Sequence, residues 1–159
     1  ICSPPADKPE ETPMSIWFGD EFPLEYCNRR NARTLNGNLG IELLEAGADY
    51  LKGCMPVDER TANPAGVLHG GASIAFAETL ASWAGAFVLD SATHHCVGLD
   101  INGNHVRPAI GGSVVYGTAK PASLGRKVQV WEVRIENEQG RLVCLSRVTM
   151  AVLEGANRY

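Results

Sequence analysis

The sequence predicts an α+β domain, one long buried helix packed against an antiparallel sheet. Two observations carry that expectation. Residues 70–89 form a proline-free run dominated by Ala, Leu, Phe, Ile and Trp, the strongest helical stretch in the chain. After it come several short segments of strand pattern separated by turn residues, which implies antiparallel pairing.

The elements follow in order. Residues 1–13 (ICSPPADKPEETP) are proline-rich and acidic with almost nothing to bury, so a disordered tail is expected there and a single domain over 14–159. Residues 22–34 suit a short helix, with Leu24 and Cys27 at helical spacing. Residues 40–56 suit two strands and a turn around Gly47 and Gly53, and 57–68 a loop broken by Asn63-Pro64 and Gly66. The helix over 70–89 is apolar nearly all round and therefore belongs in the core. His94-His95, an adjacent pair without metal-ligand spacing, is expected in a loop. In 96–106, Val97, Leu99 and Ile101 alternate with Gly98, Asp100 and Asn102. A strand over 113–119 is entered through Gly111-Gly112, and strands over 127–136 and 142–153 are joined by the hairpin signal Asn137-Glu138-Gln139-Gly140.

Bulk properties narrow the function. The 159 residues are enough for one domain with a real core, and 45% hydrophobic with 20% charged residues is ordinary for a globular protein. The net charge of −4, with Lys and Arg scattered, argues against nucleic-acid or anionic-membrane partners. Cys2, Cys27, Cys54, Cys96 and Cys144 are widely spaced and form no C-x-x-C pair. No disulfide framework or zinc site is expected, and a reducing cytoplasm is. No apolar run reaches the length of a membrane span, and no leader pattern opens the chain.

The stretch His69-Gly70-Gly71-Ala72-Ser73 stands directly before the helix, which carries one carboxylate, Glu78. Two glycines let the backbone approach a ligand closely, and a helix start points free N–H groups at whatever precedes it. Such a turn suits a developing oxyanion, and Glu78 becomes a candidate nucleophile or base. Phe76, Leu80 and Trp83 around it point to a partly buried carboxylate. From Gly70 to Glu78 the helix rises roughly 12 Å, too far for both to serve one carbonyl within a single copy. Two antiparallel copies related by a two-fold axis remove the difficulty, so a homodimer with two sites is expected. Ser82, one turn after Glu78, either orients the carboxylate or water, or bonds a backbone carbonyl one turn back. Asn104-His105-x-Arg107 and Lys120-Pro121-x-Ser123-Leu124-Gly125-Arg126-Lys127 follow or connect strands and offer cations to an anionic nucleotide end.

Met55-Pro56-Val57-Asp58-x-Arg60-Thr61, Leu68 to Ser73, and Ala77-Glu78-x-x-x-Ser82 resemble the hotdog-fold acyl-CoA thioesterases. The likeness is to the subgroup of the menaquinone-pathway 1,4-dihydroxy-2-naphthoyl-CoA thioesterase and the enterobactin-pathway proofreading thioesterase. Val97-Gly98-Leu99-x-Ile101-Asn102-x-Asn104-His105-x-Arg107 and Leu142 to Glu154 continue it, over roughly residues 35–154. The resemblance implies a central helix wrapped by an antiparallel sheet, in a dimer that commonly pairs into a tetramer. It implies hydrolysis of an acyl-CoA or acyl-carrier thioester, without metal or redox cofactor. Glu78 then matches the catalytic carboxylate, Gly70 the carbonyl-polarising N–H, His69 the support of that turn, and Ser82 the hydroxyl beside the attacking group. Gly98, Asn104, His105, Arg107, Ser123, Gly125 and Arg126 fall in the region that holds CoA. Asn63 stands where these relatives usually carry Gln, one methylene longer, and Trp83 is bulkier than expected beside Ser82. A hotdog hydratase or dehydratase and a non-catalytic acyl-CoA-binding protein are the rival readings.

Overall fold

The computed structural model describes residues 15–19 and 21–156, so the tail expected over 1–13 lies outside the described residues. The elements are α1 (Leu24–Asn31), α2 (Leu35–Asn38), β1 (Glu42–Ala46), β2 (Leu51–Pro56), α3 (Gly70–Phe87), β3 (His94–His105), β4 (Val114–Leu124), β5 (Val128–Asn137) and β6 (Leu142–Glu154). The six strands form one antiparallel sheet in the order β1-β2-β4-β5-β6-β3. Every strand except β1 packs against α3, so the sheet wraps the helix as expected.

The fit of α3 to the sheet depends on missing side chains. Gly53 of β2 and Gly117 of β4 are paired in register and lie under Phe76 and Leu80, both fully buried. A methyl at Gly117 would sit 2.6 Å from Leu80 Cδ1 and 2.8 Å from Phe76 Cε1. The paired glycines thus form a notch into which the two side chains drop. Burying side chains of this size stabilises the fold by about 1.5–3 kcal/mol each. Trp131, Leu51, Met55 and Ile135 complete the centre of the core.

The two sheet edges differ. At β1, Asn28 of α1 donates from Nδ2 to Leu43 O, and its Oδ1 accepts from Leu43 N, both at 2.9 Å. That side chain blunts the edge. At the other end β3 pairs only with β6 among the described residues, and its Val97 and Leu99 are 39% and 61% exposed.

Four local expectations change. His94 and His95 open β3 rather than a loop, because they extend the ladder against Glu154 and Leu153 of β6. The Val97-Leu99-Ile101 alternation does not make a buried face, since a bulge between Gly98 and Asp100 turns Leu99 outward on the edge strand. Strand β4 runs to Leu124, beyond the 113–119 expected, because Pro121 falls at a bulge where its missing N–H breaks no regular ladder. Asn104-His105 and Lys120 to Leu124 therefore lie within strands, and Gly125 to Lys127 make the turn.

Candidate active site

The loop leading into α3 is held at several points. Thr61 Oγ1 donates to Pro56 O at 2.7 Å, His69 N donates to Thr61 O, and Leu68 N donates to Ala109 O, both at 2.8 Å. Asp58 pairs with Arg60, whose guanidinium holds the Asp58 carboxyl below its ordinary range.

His69 is the N-cap of α3. Its Nδ1 accepts from Gly71 N at 2.8 Å, which places the ring proton on Nε2. Its carbonyl accepts from Ala72 N and Ser73 N at 3.0 and 3.1 Å. Of the donors in the first turn, Gly70 N–H alone has no partner among the described residues. It opens onto a cavity of about 410 Å³ shared with Asn63, Ser73, His105 and Arg107. The His105 ring packs against Gly70, with Nε2 3.0 Å from where a Cβ would stand. Asn63 Oδ1 is committed to its own loop, accepting from Ala65 N at 2.9 Å and Val67 N at 3.4 Å. Its Nδ2 makes no hydrogen bond among the described residues, and Asn63 borders the cavity. Arg107 donates to Leu142 O.

Glu78 lies on another surface. In the single chain it is exposed, contrary to the partial burial expected from Phe76, Leu80 and Trp83. The reason is helical phase: Phe76 and Leu80 point into the centre of the sheet over Gly53 and Gly117, whereas Glu78 lies on the flank of α3 beside the β3 edge strand. Glu78 lines a second cavity of about 410 Å³ with Ser82, Thr79, Asn36 and Trp83. Its Oε1 lies 3.0 Å from where a Cβ at Gly98 would stand. The backbone-bonding role raised for Ser82 is taken instead by Thr79, whose hydroxyl lies 2.7 Å from Ala75 O and 2.9 Å from Asn36 Oδ1. Ser82 has no such bond among the described residues.

The selected residues thus fall into two groups. Asn63, His69, Gly70, His105 and Arg107 gather at the start of α3. Asn104 does not line that cavity, because alternation along β3 turns it to the opposite face from His105. Glu78, Ser82 and Gly98 gather further along the helix. Ser123, Gly125 and Arg126 stand level with this second group. Gly98 pairs with Met150, Met150 with Gln129, and Gln129 with Leu124. Along β6 the two levels, Cys144 and Met150, are roughly 20 Å apart. Ser73 and the Thr79–Asn36 pair were not singled out from sequence. Ser73 sat within the quoted motif, whereas Asn36 comes from 43 residues away and left no local signal.

The Thioesterase superfamily model matches residues 65–144, a span that holds both Gly70 and Glu78. The 1,4-dihydroxy-2-naphthoyl-CoA hydrolase of Escherichia coli is 45% identical over 130 residues, 82% of this chain and 94% of that protein. This chain belongs to the thioesterase superfamily. A proofreading thioesterase of Cronobacter turicensis is 47% identical over 131 residues, 82% of this chain and 93% of that protein. The crystal structure of a Haemophilus influenzae thioesterase aligns with a TM-score of 0.84 at 42% identity, covering 91% of this thioesterase and 99% of that chain. A mutant Pseudomonas aeruginosa thioesterase aligns with a TM-score of 0.84 at 38% identity, covering 88% and 99%. The architecture is the hotdog fold and the chemistry is thioester hydrolysis, as the resemblance implied.

Proposed function

We propose that this thioesterase hydrolyses an acyl-CoA or acyl-carrier thioester, with an aromatic or medium-chain acyl group, at two equivalent sites across a homodimer. The observation that carries this reading is the unpartnered Gly70 N–H in one cavity and Glu78 with Ser82 in another. Neither cavity holds a complete set of acyl-transfer groups, and an antiparallel second copy brings the start of one α3 to the Glu78 of the other. The uncovered β3 edge, with exposed Val97 and Leu99, suits such pairing. Pairing of two dimers into a tetramer and a cytoplasmic location belong to the same reading.

In the proposed site the thioester oxygen accepts from Gly70 N–H, with Asn63 Nδ2 as a second donor, and negative charge developing on that oxygen is stabilised there. Glu78 acts in one of two ways. Its carboxylate attacks the carbonyl carbon, the C–S bond breaks, the thiolate leaves, and water opens the resulting anhydride. Alternatively it takes a proton from a water that attacks, and that proton is passed to the departing sulfur. Ser82, one turn on, orients the carboxylate or the water. His105 and Arg107 from one copy, with Ser123, Gly125, Arg126, Gly98 and Asn104, hold the CoA portion. No step in this scheme calls for a metal.

The test is thiol release from benzoyl-, hydroxynaphthoyl-, hexanoyl- and palmitoyl-CoA by the wild type and by Glu78→Gln. Turnover should fall by a factor on the order of 10²–10⁴ in the variant. Co-refolding Glu78→Gln with a Gly70→Pro chain should restore roughly a quarter of wild-type activity, because half the dimers are mixed and each carries one intact site. Tight binding of CoA esters without turnover would support the non-catalytic reading instead. Label carried into Glu78 after a single turnover in isotopically labelled water would identify direct attack with water opening the anhydride at the Glu78 carboxyl carbon, and capture of an acyl adduct on Glu78 would identify it whichever carbonyl the water attacks.

A further inference from the structure

Beyond the Glu78 cavity lies a larger cleft of about 720 Å³, between α1 and the end of α3, bordered by Phe18, Tyr26, Phe87 and His95. The two spaces share two lining residues, Trp83 and Ala86. Ala86 has almost no side chain, so the indole of Trp83 is the larger group at the border the two spaces share. That indole is held in place from three sides. Phe87 stacks on it at 6.0 Å between ring centroids, and Tyr26 meets it edge-on at 6.5 Å. Its Nε1 donates to Asn31 Oδ1 at 2.9 Å.

Asn31 is the last residue of α1 and is 2% exposed. Its Oδ1 also accepts from Asn36 Nδ2 at 2.8 Å, and Asn36 Oδ1 in turn lies 2.9 Å from the Thr79 hydroxyl. The Asn31 Nδ2 has no partner among the described residues. A buried amide that leaves its donor unsatisfied is costly, and only its oxygen, shared by Trp83 and Asn36, is used. The residue is thus placed as a double acceptor that fixes an indole on one side and the wall of the Glu78 cavity on the other.

Resting on the thioesterase reading, we propose that Trp83 is the size-limiting wall of the acyl site and that Asn31 is the positioning residue that latches it. A short acyl group ends in the Glu78 cavity against the indole. A long one has to pass the indole into the aromatic cleft between α1 and α3, which stands ready but closed off. The bulk at position 83 then selects acyl length, and the hydrogen bond from α1 makes the selection sharp by removing rotamers of the indole.

The experiment compares kcat/KM for hexanoyl-CoA and palmitoyl-CoA on the same preparation of each variant, so that differences in folded fraction cancel from the ratio. Trp83→Leu should raise the palmitoyl-to-hexanoyl ratio by about tenfold or more. Asn31→Leu, which is close in shape but cannot accept from the indole, should move the ratio in the same direction by a smaller factor. Asn31→Asp, which keeps the acceptor oxygen, should leave the ratio near that of the wild type. Variants that scale both esters equally, or an Asn31→Asp ratio shifted as far as that of Asn31→Leu, would overturn the inference while leaving the thioesterase reading intact. A wild type that turns over neither ester nor any other CoA thioester would overturn both.

Discussion

Replacing Gly70 by proline removes its N–H and puts a ring carbon in the place of that hydrogen. Gly70 is the first residue of α3, a position where proline is well tolerated because its ring needs the helical φ and its lost N–H has no helical partner. His69, with φ −67° and ψ 132°, already has the extended backbone that a residue before proline requires. Proline also reduces the freedom of the unfolded chain, a gain of about 0.4–1 kcal/mol. Against this stands the close contact with His105, whose Nε2 would lie 3.0 Å from the new Cβ. The two effects oppose each other, so net stability should change by less than about 1 kcal/mol, a Tm shift within about 2–4 °C. Turnover should behave differently. Loss of one oxyanion donor costs about 2.7–4 kcal/mol in the transition state, or 10²–10³ in kcat. Gly70→Ala is the control, since it adds the same Cβ against His105 but keeps the N–H. The assay is thiol release with each variant, alongside thermal unfolding. Turnover by Gly70→Pro within about threefold of wild type would refute the assignment, as would equal losses in the alanine and proline variants.

Other consequences can be checked directly. Gly117→Ala should destabilise the fold by about 1–3 kcal/mol, because its methyl meets Leu80 and Phe76 at 2.6 and 2.8 Å, and thermal unfolding reads this as a lowered Tm. His69→Ala should remove the cap on Gly71 N, costing about 0.5–2 kcal/mol in denaturant unfolding and lowering kcat as the Gly70 N–H loses its fixed aim. Burial pushes the Cys27 thiol from its usual 9.0 up to about 12 and the Cys96 thiol up to about 11. In the unfolded chain these thiols ionise near 9, so their contribution to stability is complete below that pH and is lost as the pH climbs towards the folded values. Denaturant midpoints should fall from pH 9 upward, and Cys27 should resist alkylation at neutral pH until the protein unfolds.

What the sequence disclosed, and what it withheld, follows from the range of the interactions involved. The helix α3 was legible because eighteen residues without proline carry a consistent pattern. The β5–β6 hairpin was legible because Gly140, at φ 70°, supplies the backbone that a turn demands. Strand limits were less so. The β3 start depends on a ladder to Glu154, sixty residues away, and the extension of β4 depends on a bulge that accommodates Pro121. At the site, the Gly70 turn and Glu78 stood out because their chemistry is unusual where they occur. The exposure of Glu78 could not be read from its apolar neighbours, because only the helical phase relative to the Gly53–Gly117 notch decides which side chains turn inward. The Asn31–Trp83 bond was hidden for the same reason, being closed across 52 residues by the packing of α1 on α3.

The notch beneath Phe76 and Leu80 also makes α3 a ruler. Those two side chains seat the helix at one axial position, and they stand between Gly70 on one side and Ser82 on the other. Substitutions can alter what the helix presents, but the count of residues along it cannot change freely. One inserted residue between Gly70 and Phe76 would turn the helix start by about 100° and shift it by about 1.5 Å relative to everything seated in the notch. The loop over 57–68 can absorb a change in length far more easily. Length variation among chains of this kind should therefore collect before His69 and spare the interval from Gly70 to Ser82, even where the acyl group has changed.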